Sequence, residues 1–335
     1  MIHVYGAGLG GSFLCNLFDK IGVDYIVYDK SKVYKEPCAY GFMYRQTKNL
    51  LKYIKMDIND YLLSKPNTIY INNVPLKVKN ICILDKYKLV NDMRETLEIK
   101  DDINIRKEDY KIDFTGHHRA VISKYINKNV RKSICIQKKV MCDISDEILI
   151  YAKKYGYAWL FPLGDNVCHI GAGVYTTEDA TEKIHNLIDN LLDSYTITIE
   201  KELCSCKSEV IFDHFMKIGF YTKEGNTIAL GEAGGFISAF GEGNEPALRT
   251  ALYMAKLIKN HDFHEACEIF KNKVRKDMKW IINQYGFVES LNKSYLSSLF
   301  RLIDIININK KRSNVQINID TAKHILKLVV DYGDI

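Results

Sequence analysis

A six-residue run directly after a four-residue strand limits this chain more than anything else in it. Ile2-His3-Val4-Tyr5 reads as a short apolar strand, and Gly6-Ala7-Gly8-Leu9-Gly10-Gly11 follows without a break. Phe13, Leu14, Leu17, Phe18 and Ile21 then recur at the spacing of one buried helix face. A second strand, Asp24–Tyr28, ends at Asp29 with Lys30 beside it. Strand, glycine turn, helix and strand in that order predict a βαβ unit that binds a dinucleotide. Gly6 makes the tight turn, Gly8 lets main chain approach a pyrophosphate, and Gly11 seats the helix close to the sheet. Ala7, Leu9 and Gly10 complete the turn, where N–H groups at the helix start hold negative charge. Asp29 stands where an acid accepts ribose hydroxyls.

At 335 residues the chain is long enough for a large core and two intertwined domains. Hydrophobic residues at 47% and charged residues at 26% place it among soluble globular proteins. The net charge of +6 is mild, and the basic residues are dispersed. Such a distribution argues against nucleic acid as a partner, while leaving room for an anionic membrane surface or substrate. No run approaches the length of a spanning helix, and a strand beginning at residue 2 leaves no place for a signal peptide. A cytoplasmic protein, in places peripheral to a membrane, is the expectation. Nine irregularly spaced cysteines then read as mostly reduced thiols, and Cys204-Ser205-Cys206, the one close pair, is too sparse for a metal site.

Three later segments carry chemistry. Asp113-Phe114-Thr115-Gly116 ends an apparent strand and runs into His117, His118 and Arg119. Either histidine is a candidate proton donor, and Arg119 a partner for a phosphate or a surface acid. Ile228–Phe236 is a strand entering an acidic, small-residue turn at Gly231-Glu232, followed by Gly241-Glu242-Gly243-Asn244 and a long helix. An acid after a strand beside a glycine-rich helix start suits a polyol and a pyrophosphate, and the Gly-Glu-Gly turn allows main-chain contact with a flat ring. Between these lies Tyr157-Ala158-Trp159-Leu160-Phe161-Pro162-Leu163-Gly164-Asp165, then His169–Val174: an antiparallel hairpin with one aromatic face, either substrate-facing or core.

Order and content together resemble the geranylgeranyl reductase family of FAD-dependent oxidoreductases, which share the fold of aromatic-ring hydroxylases. The matching segments are Gly6/Gly8/Gly11, Pro37-Cys38-Ala39-Tyr40-Gly41, Asp113–Gly116, Tyr157–Pro162, Gly231–Gly235 and Gly241–Gly243. Glu232 stands where the family has Asp, Ser238-Ala239 where it has proline, and Asn244 where an apolar residue is common. The resemblance implies FAD held by Gly6–Gly11, Asp29, Lys30, Thr115, Gly116, Gly231, Glu232 and Gly241–Asn244. It also implies a loop cysteine, Cys38, near the flavin as a catalytic candidate, and a substrate wall of Tyr157, Trp159 and Phe161. The expected reaction is reduction of isoprenoid C=C bonds of a prenyl lipid or prenyl chain. The electron donor stays open between NADPH and ferredoxin. A flavin monooxygenase of the same fold, or a non-redox FAD-binding module, are the alternatives.

The predicted architecture is α/β: a Rossmann-like FAD-binding domain (1–131 plus 223–260), an inserted antiparallel β-sheet substrate domain (132–222) and a helical C-terminal region (261–335). A helix is expected at 48–57 and another through Ile184, Leu187, Ile188, Leu191 and Leu192. Short strands are expected around 67–84. In the C-terminal region Ile281, Ile282, Leu299, Leu302 and Ile303 are expected to pack inward.

Overall fold

A computed structural model of the chain describes residues 1–35, 40–101, 108–126, 129–144, 146–175, 179–312, 314–315 and 317–330. The chain opens with β1 (Ile2–Tyr5), α1 (Leu9–Ile21) and β2 (Tyr25–Tyr28), then β3 (Gly41–Met43) and α2 (Tyr44–Leu51). Short strands β4 (Leu62–Ser64), β5 (Thr68–Ile71), β6 (Val74–Lys77) and β7 (Ile81–Leu84) precede α3 (Lys86–Arg94), β8 (Ile99–Lys100) and β9 (Tyr110–Asp113). The middle of the chain holds β10 (Lys132–Cys142), β11 (Ile148–Lys153), β12 (Gly156–Gly164), β13 (Val167–Val174), α4 (Ala180–Tyr195) and β14 (Ile199–Ile211). After α5 (Phe215–Ile218), β15 (Tyr221–Thr222) and β16 (Thr227–Ala229) come α6 (Asn244–Ile258), α7 (Phe263–Asp277), α8 (Lys279–Leu291), α9 (Tyr295–Arg312) and α10 (Ile319–Val330).

The fold class is the predicted one. Six strands form a mostly parallel sheet in the order β15-β16-β9-β1-β2-β8, with β1 central. Its inner strands β1, β9 and β16 are almost wholly buried because both faces are covered. Helix α1 lies on this sheet and packs against α6, burying Phe13, Leu14, Leu17 and Phe18 with Leu248, Ala251 and Leu252. Gly22, in the left-handed region, ends α1 by donating its N–H to the Phe18 carbonyl.

A second sheet of seven strands, β14-β10-β13-β12-β11-β5-β6, is antiparallel except where β11 runs parallel to β5. One face buries Val140, Leu160, Ile170 and Ala172 under Ile184, Leu187, Ile188 and Leu191 of α4, the predicted helix stripe. Cys142 and Cys168, on β10 and β13, pair as a disulfide, where the sequence reading expects mostly free thiols. The other face looks toward the parallel sheet. A three-stranded sheet, β3-β7-β4, completes the set among the described residues.

Several boundaries differ from expectation. The hairpin turn falls on Asp165 and Asn166, both left-handed. A two-residue turn with both φ positive matches strand twist, so β12 runs on through Pro162, with a register shift between Pro162 and Gly164. The 68–77 hairpin, assigned by sequence to the first unit, hydrogen-bonds to β11 and extends the large sheet. The expected helix at 48–57 starts earlier, at Tyr44, and tightens into a 3-10 turn at Lys52–Ile54. Strand β14 was not foreseen. It is an exposed edge studded with Glu200, Lys201, Glu202 and Lys207, a composition that hides the strand signal while discouraging edge pairing. Of the C-terminal apolar residues, Ile281 is buried but Ile303 is 36% exposed.

Candidate active site

Between the parallel sheet and the open face of the large sheet lies a cavity of about 750 Å³, within the size range of cofactor and ligand sites. The fingerprint forms one end. Gly6 has φ +94, and a Cβ there would fall 2.5 Å from the Phe114 carbonyl oxygen. A Cβ on Gly11 would fall 1.8 Å from the Gly6 oxygen, so the helix seats as closely as only glycine permits. Gly8, by contrast, has only the Tyr34 ring within 4 Å, at 3.9 Å, which leaves its main chain open to a ligand. No side chain caps α1 and no acid occupies its first turn, so the positive end of the helix faces the cavity at Leu9 and Gly10. Ala7 lies behind the groove: its side chain is buried, and its N–H donates to Asp29 Oδ2 at 2.7 Å.

Asp29 also accepts from the Ser31 N–H at 3.0 Å, and both Asp29 and Lys30 line the cavity. A cation that sequence reading missed completes this end. Arg94, the last residue of α3, donates from Nη1 to the Ala7 carbonyl at 2.7 Å and from Nη2 to the Ser31 carbonyl, and sits 3.4 Å from Asp29 Oδ2. It is buried, lines the cavity, and keeps its Nε without a partner among the described residues. No motif surrounds it in sequence. A Lys or Arg in the last turn of a helix is an ordinary dipole partner, and only tertiary structure turns it toward the groove.

Thr115, Gly116, Gly231 and Glu232 line the next stretch. The turn that presents Thr115 and Gly116 is set by Asp113. Its buried carboxylate accepts from the N–H and hydroxyl of Thr115 and from the N–H groups of Val121 and Ile122. Glu232 accepts from the Ile211 N–H at 2.9 Å, tying the second segment to the end of β14. Arg119 is neither a phosphate partner nor a surface residue. It is buried, donating to the Ala233 and Gly219 carbonyls as an internal strut. His118 lines the cavity, and His117, 3.9 Å away between ring centres, has its pKa lowered mainly by burial and then by His118.

Gly241, Glu242, Gly243 and Asn244 reach the cavity as one turn. Ser238 Oγ holds it from inside, accepting from the Phe240 and Glu242 N–H groups. The Glu242 carboxylate is engaged by Arg312 Nη1 at 2.8 Å, while Arg312 Nη2 reaches Glu245 at 3.2 Å. The Arg312 guanidinium also lies over the Trp280 ring, 3.2 Å from its centroid. Asn244 donates to the Gly41 carbonyl at 3.0 Å. Cys38 lies outside the described residues; Lys35 and Gly41, on either side of it, line the cavity.

The large sheet supplies the opposite wall. Tyr157, Trp159 and Phe161 alternate along β12 onto the open face with Ile148 and Ile150 of β11, and all line the cavity. The Tyr157 hydroxyl donates to the Phe240 carbonyl at 2.9 Å, joining this wall to the Gly-Glu-Gly turn. Burial, then Tyr175, pushes its pKa well up, so the phenol stays neutral and serves as a donor. Among the described residues no cluster of three or more His, Cys, Asp or Glu side chains could hold a metal.

The chemistry of the lining fits a flavin dinucleotide: open main chain and an uncapped helix start for phosphates, a buried cation beside them, and an aromatic chamber beyond. No protein-family model matches the chain. It is 25% identical to the uncharacterized protein MJ1182 of Methanocaldococcus jannaschii, over 92% of this chain and 96% of that one. In structure it is similar to a geranylgeranyl bacteriochlorophyll reductase-like protein from Thermoplasma acidophilum, with a TM-score of 0.72, 16% identity and 98% of each chain covered. A probable FAD-dependent monooxygenase from Pseudomonas aeruginosa gives 0.67 at 12% identity, covering 91% of this chain and 99% of that one. HpxO from Klebsiella pneumoniae, solved as a variant complexed with FAD, gives 0.63 at 13% identity, with 98% of each covered. The fold is therefore that of FAD-dependent oxidoreductases, as the sequence resemblance implies.

Proposed function

We propose that this protein binds FAD along the glycine-lined end of the cavity and reduces carbon–carbon double bonds of an isoprenoid chain carried on a prenyl lipid or prenyl compound. The observation that carries the reading is the opposite wall. Tyr157, Trp159, Phe161, Ile69, Ile148 and Ile150 make an aromatic and aliphatic chamber continuous with the cofactor groove. An unactivated double bond acquires carbocation character as it is reduced, so it needs shelter from water and tolerance of positive charge. Aromatic faces offer both. FAD, when bound and reduced, supplies the hydride equivalent that no side chain can.

The chain's own groups orient the parts. Arg94 and the α1 start would hold the phosphates, the Thr115–Gly116 and Gly231–Glu232 turns would contribute further main-chain contacts, and Tyr157, bonded to the Phe240 carbonyl, holds the Gly241–Gly243 turn in place. The neighbour described as geranylgeranyl reductase-like supports the substrate class. Donor choice between NADPH and ferredoxin belongs to the same proposal. The test is anaerobic turnover of the dithionite-reduced, FAD-loaded protein with a geranylgeranyl compound, read by mass spectrometry. A product heavier by two hydrogens is expected. A product formed only with oxygen and NADPH, and carrying oxygen, identifies a monooxygenase instead; a yellow protein that turns over neither is a binding module.

A further inference from the structure

The cavity wall is graded across the sheet. Hydrogen-bond register aligns Cys206 of β14, Gln137 of β10, Gly171 of β13, Trp159 of β12 and Ile150 of β11 in one row on the open face. Toward β14 the wall is polar, with Ser133, Cys135 and Ser208 beside Gln137; toward β5 it is apolar, with Ile69, Ile148 and Phe161. None of the cavity residues contributed by β10 to β14 is Lys, Arg, Asp or Glu.

Gly171 shapes the middle of the row. A Cβ there would meet Trp159 Cζ2 at 2.6 Å and Cε2 at 2.9 Å, so the indole lies down over the glycine. The ring thus covers β13, the strand that separates Trp159 from Gln137. Trp159 is 7% and Gln137 8% exposed. Trp159 Nε1 and Gln137 Oε1 are both buried with no hydrogen-bond partner among the described residues. A buried donor and a buried acceptor, both unpaired on residues that line one chamber, cost stability that nothing in the sheet returns. Their chemistry is complementary to one group: a hydroxyl accepts from the indole N–H while donating to the amide oxygen. A bare carbonyl cannot donate to Gln137, and a phosphate or carboxylate would find no cation among the cavity residues of these strands.

We infer that Gln137 and Trp159 together bind an uncharged hydroxyl of the substrate, with its apolar skeleton running toward β11 and β5. This deepens the reading of the site given above and rests on it for the isoprenoid skeleton. The preferred ligand is a prenyl alcohol or a neutral lipid bearing a hydroxyl near the reducible chain, not a prenyl diphosphate.

Titration calorimetry tests this with three probes: geranylgeraniol, the hydrocarbon of the same skeleton without the hydroxyl, and geranylgeranyl diphosphate. Each is titrated into the FAD-loaded protein and into the protein as purified. The alcohol is expected to bind about tenfold more tightly than the hydrocarbon. Gln137→Leu, the near-isosteric Gln137→Met and Trp159→Phe each bring the alcohol down to the hydrocarbon's level, and combining either Gln137 variant with Trp159→Phe loses nothing further. FAD affinity and the visible flavin spectrum stay unchanged, and the ligand-free variants melt no lower than the parent. Equal binding of alcohol and hydrocarbon, no binding of either, preference for the diphosphate, or undiminished alcohol binding by the variants overturns the inference. So does a parallel fall in FAD affinity, which would assign the pair to the cofactor. If the protein takes up no FAD yet binds the alcohol in a Gln137-dependent way, the flavoenzyme reading fails and this site stands.

Discussion

His169 illustrates how one side chain on β13 acquires a property that its sequence position does not advertise. It pairs across the sheet with Phe161, is 6% exposed, and sets its ring at 72° to Tyr40 with centroids 4.6 Å apart. Burial, and then Lys139, lowers its pKa from 6.5 to about 4, and Nδ1 has no partner among the described residues. The folded protein therefore holds His169 neutral where the unfolded chain protonates it. Stability is full above pH 6.5 and is lost as pH falls from 6.5 to about 4, by on the order of 3 kcal/mol. Urea titrations at pH 7 and pH 5 should show this loss in the parent and a smaller one in His169→Phe. At this scale the sequence was informative wherever a backbone constraint fixes the residue type. Gly6 and Gly11 are chosen by turn geometry and close approach, as predicted, and Gly8 leaves its main chain open. Arg94 and Arg119 were not legible, because a guanidinium that bonds main-chain carbonyls across 87 and 114 residues leaves no local pattern.

Among the elements, α9 determines how firmly the Gly-Glu-Gly turn is held. Its last residue, Arg312, binds the carboxylates of Glu242 and Glu245, stacks on Trp280, and offers its carbonyl to Gln46 and Asn80. Arg312 itself does not line the cavity. Arg312→Met should weaken FAD retention several-fold, as measured by fluorescence on dilution, with no change in which substrate is preferred. Melting should fall by a few degrees, since a partly buried charged network is lost. Helices and strands with clean patterns, such as α1, α4 and the β12–β13 hairpin, were readable because their large apolar side chains recur at the period of the element. The edge strand β14 was not, because its alternation is drowned by charges that serve as edge protection. The β5–β6 pair was readable as strands but not as members of the large sheet, since pairing partners are set by tertiary contacts rather than composition.

For the whole molecule, one side of α9 stands apart: it is exposed, and Ile303, expected to pack inward, lies on it. Leu296 is 67% and Phe300 71% exposed, and with Ile303 they recur at one-turn spacing along the helix, which ends in Lys310 and Lys311. No helix among the described residues is long and apolar enough to cross a membrane. An apolar stripe with terminal cations suits the interface of an anionic bilayer, where a prenyl lipid would be met. Sedimentation with phosphatidylserine-containing vesicles should capture the protein and weaken as salt rises. The double variant Leu296→Glu and Phe300→Glu should lose most of that binding while melting like the parent. The stripe was hidden in sequence because exposed and buried apolar positions alternate within the same turns: Ile305 faces the core and Ile303 does not.

One pairing described earlier bears on how such a protein comes into being. Strands β9 and β16 touch along their length, yet everything between Asp113 and Thr227 separates them along the polypeptide. During synthesis the detour, including five strands of the seven-stranded sheet and α4, must leave the ribosome before the two can meet. The groove acquires its third glycine segment only after that closure, so any group held by all three would enter late in the life of a nascent molecule.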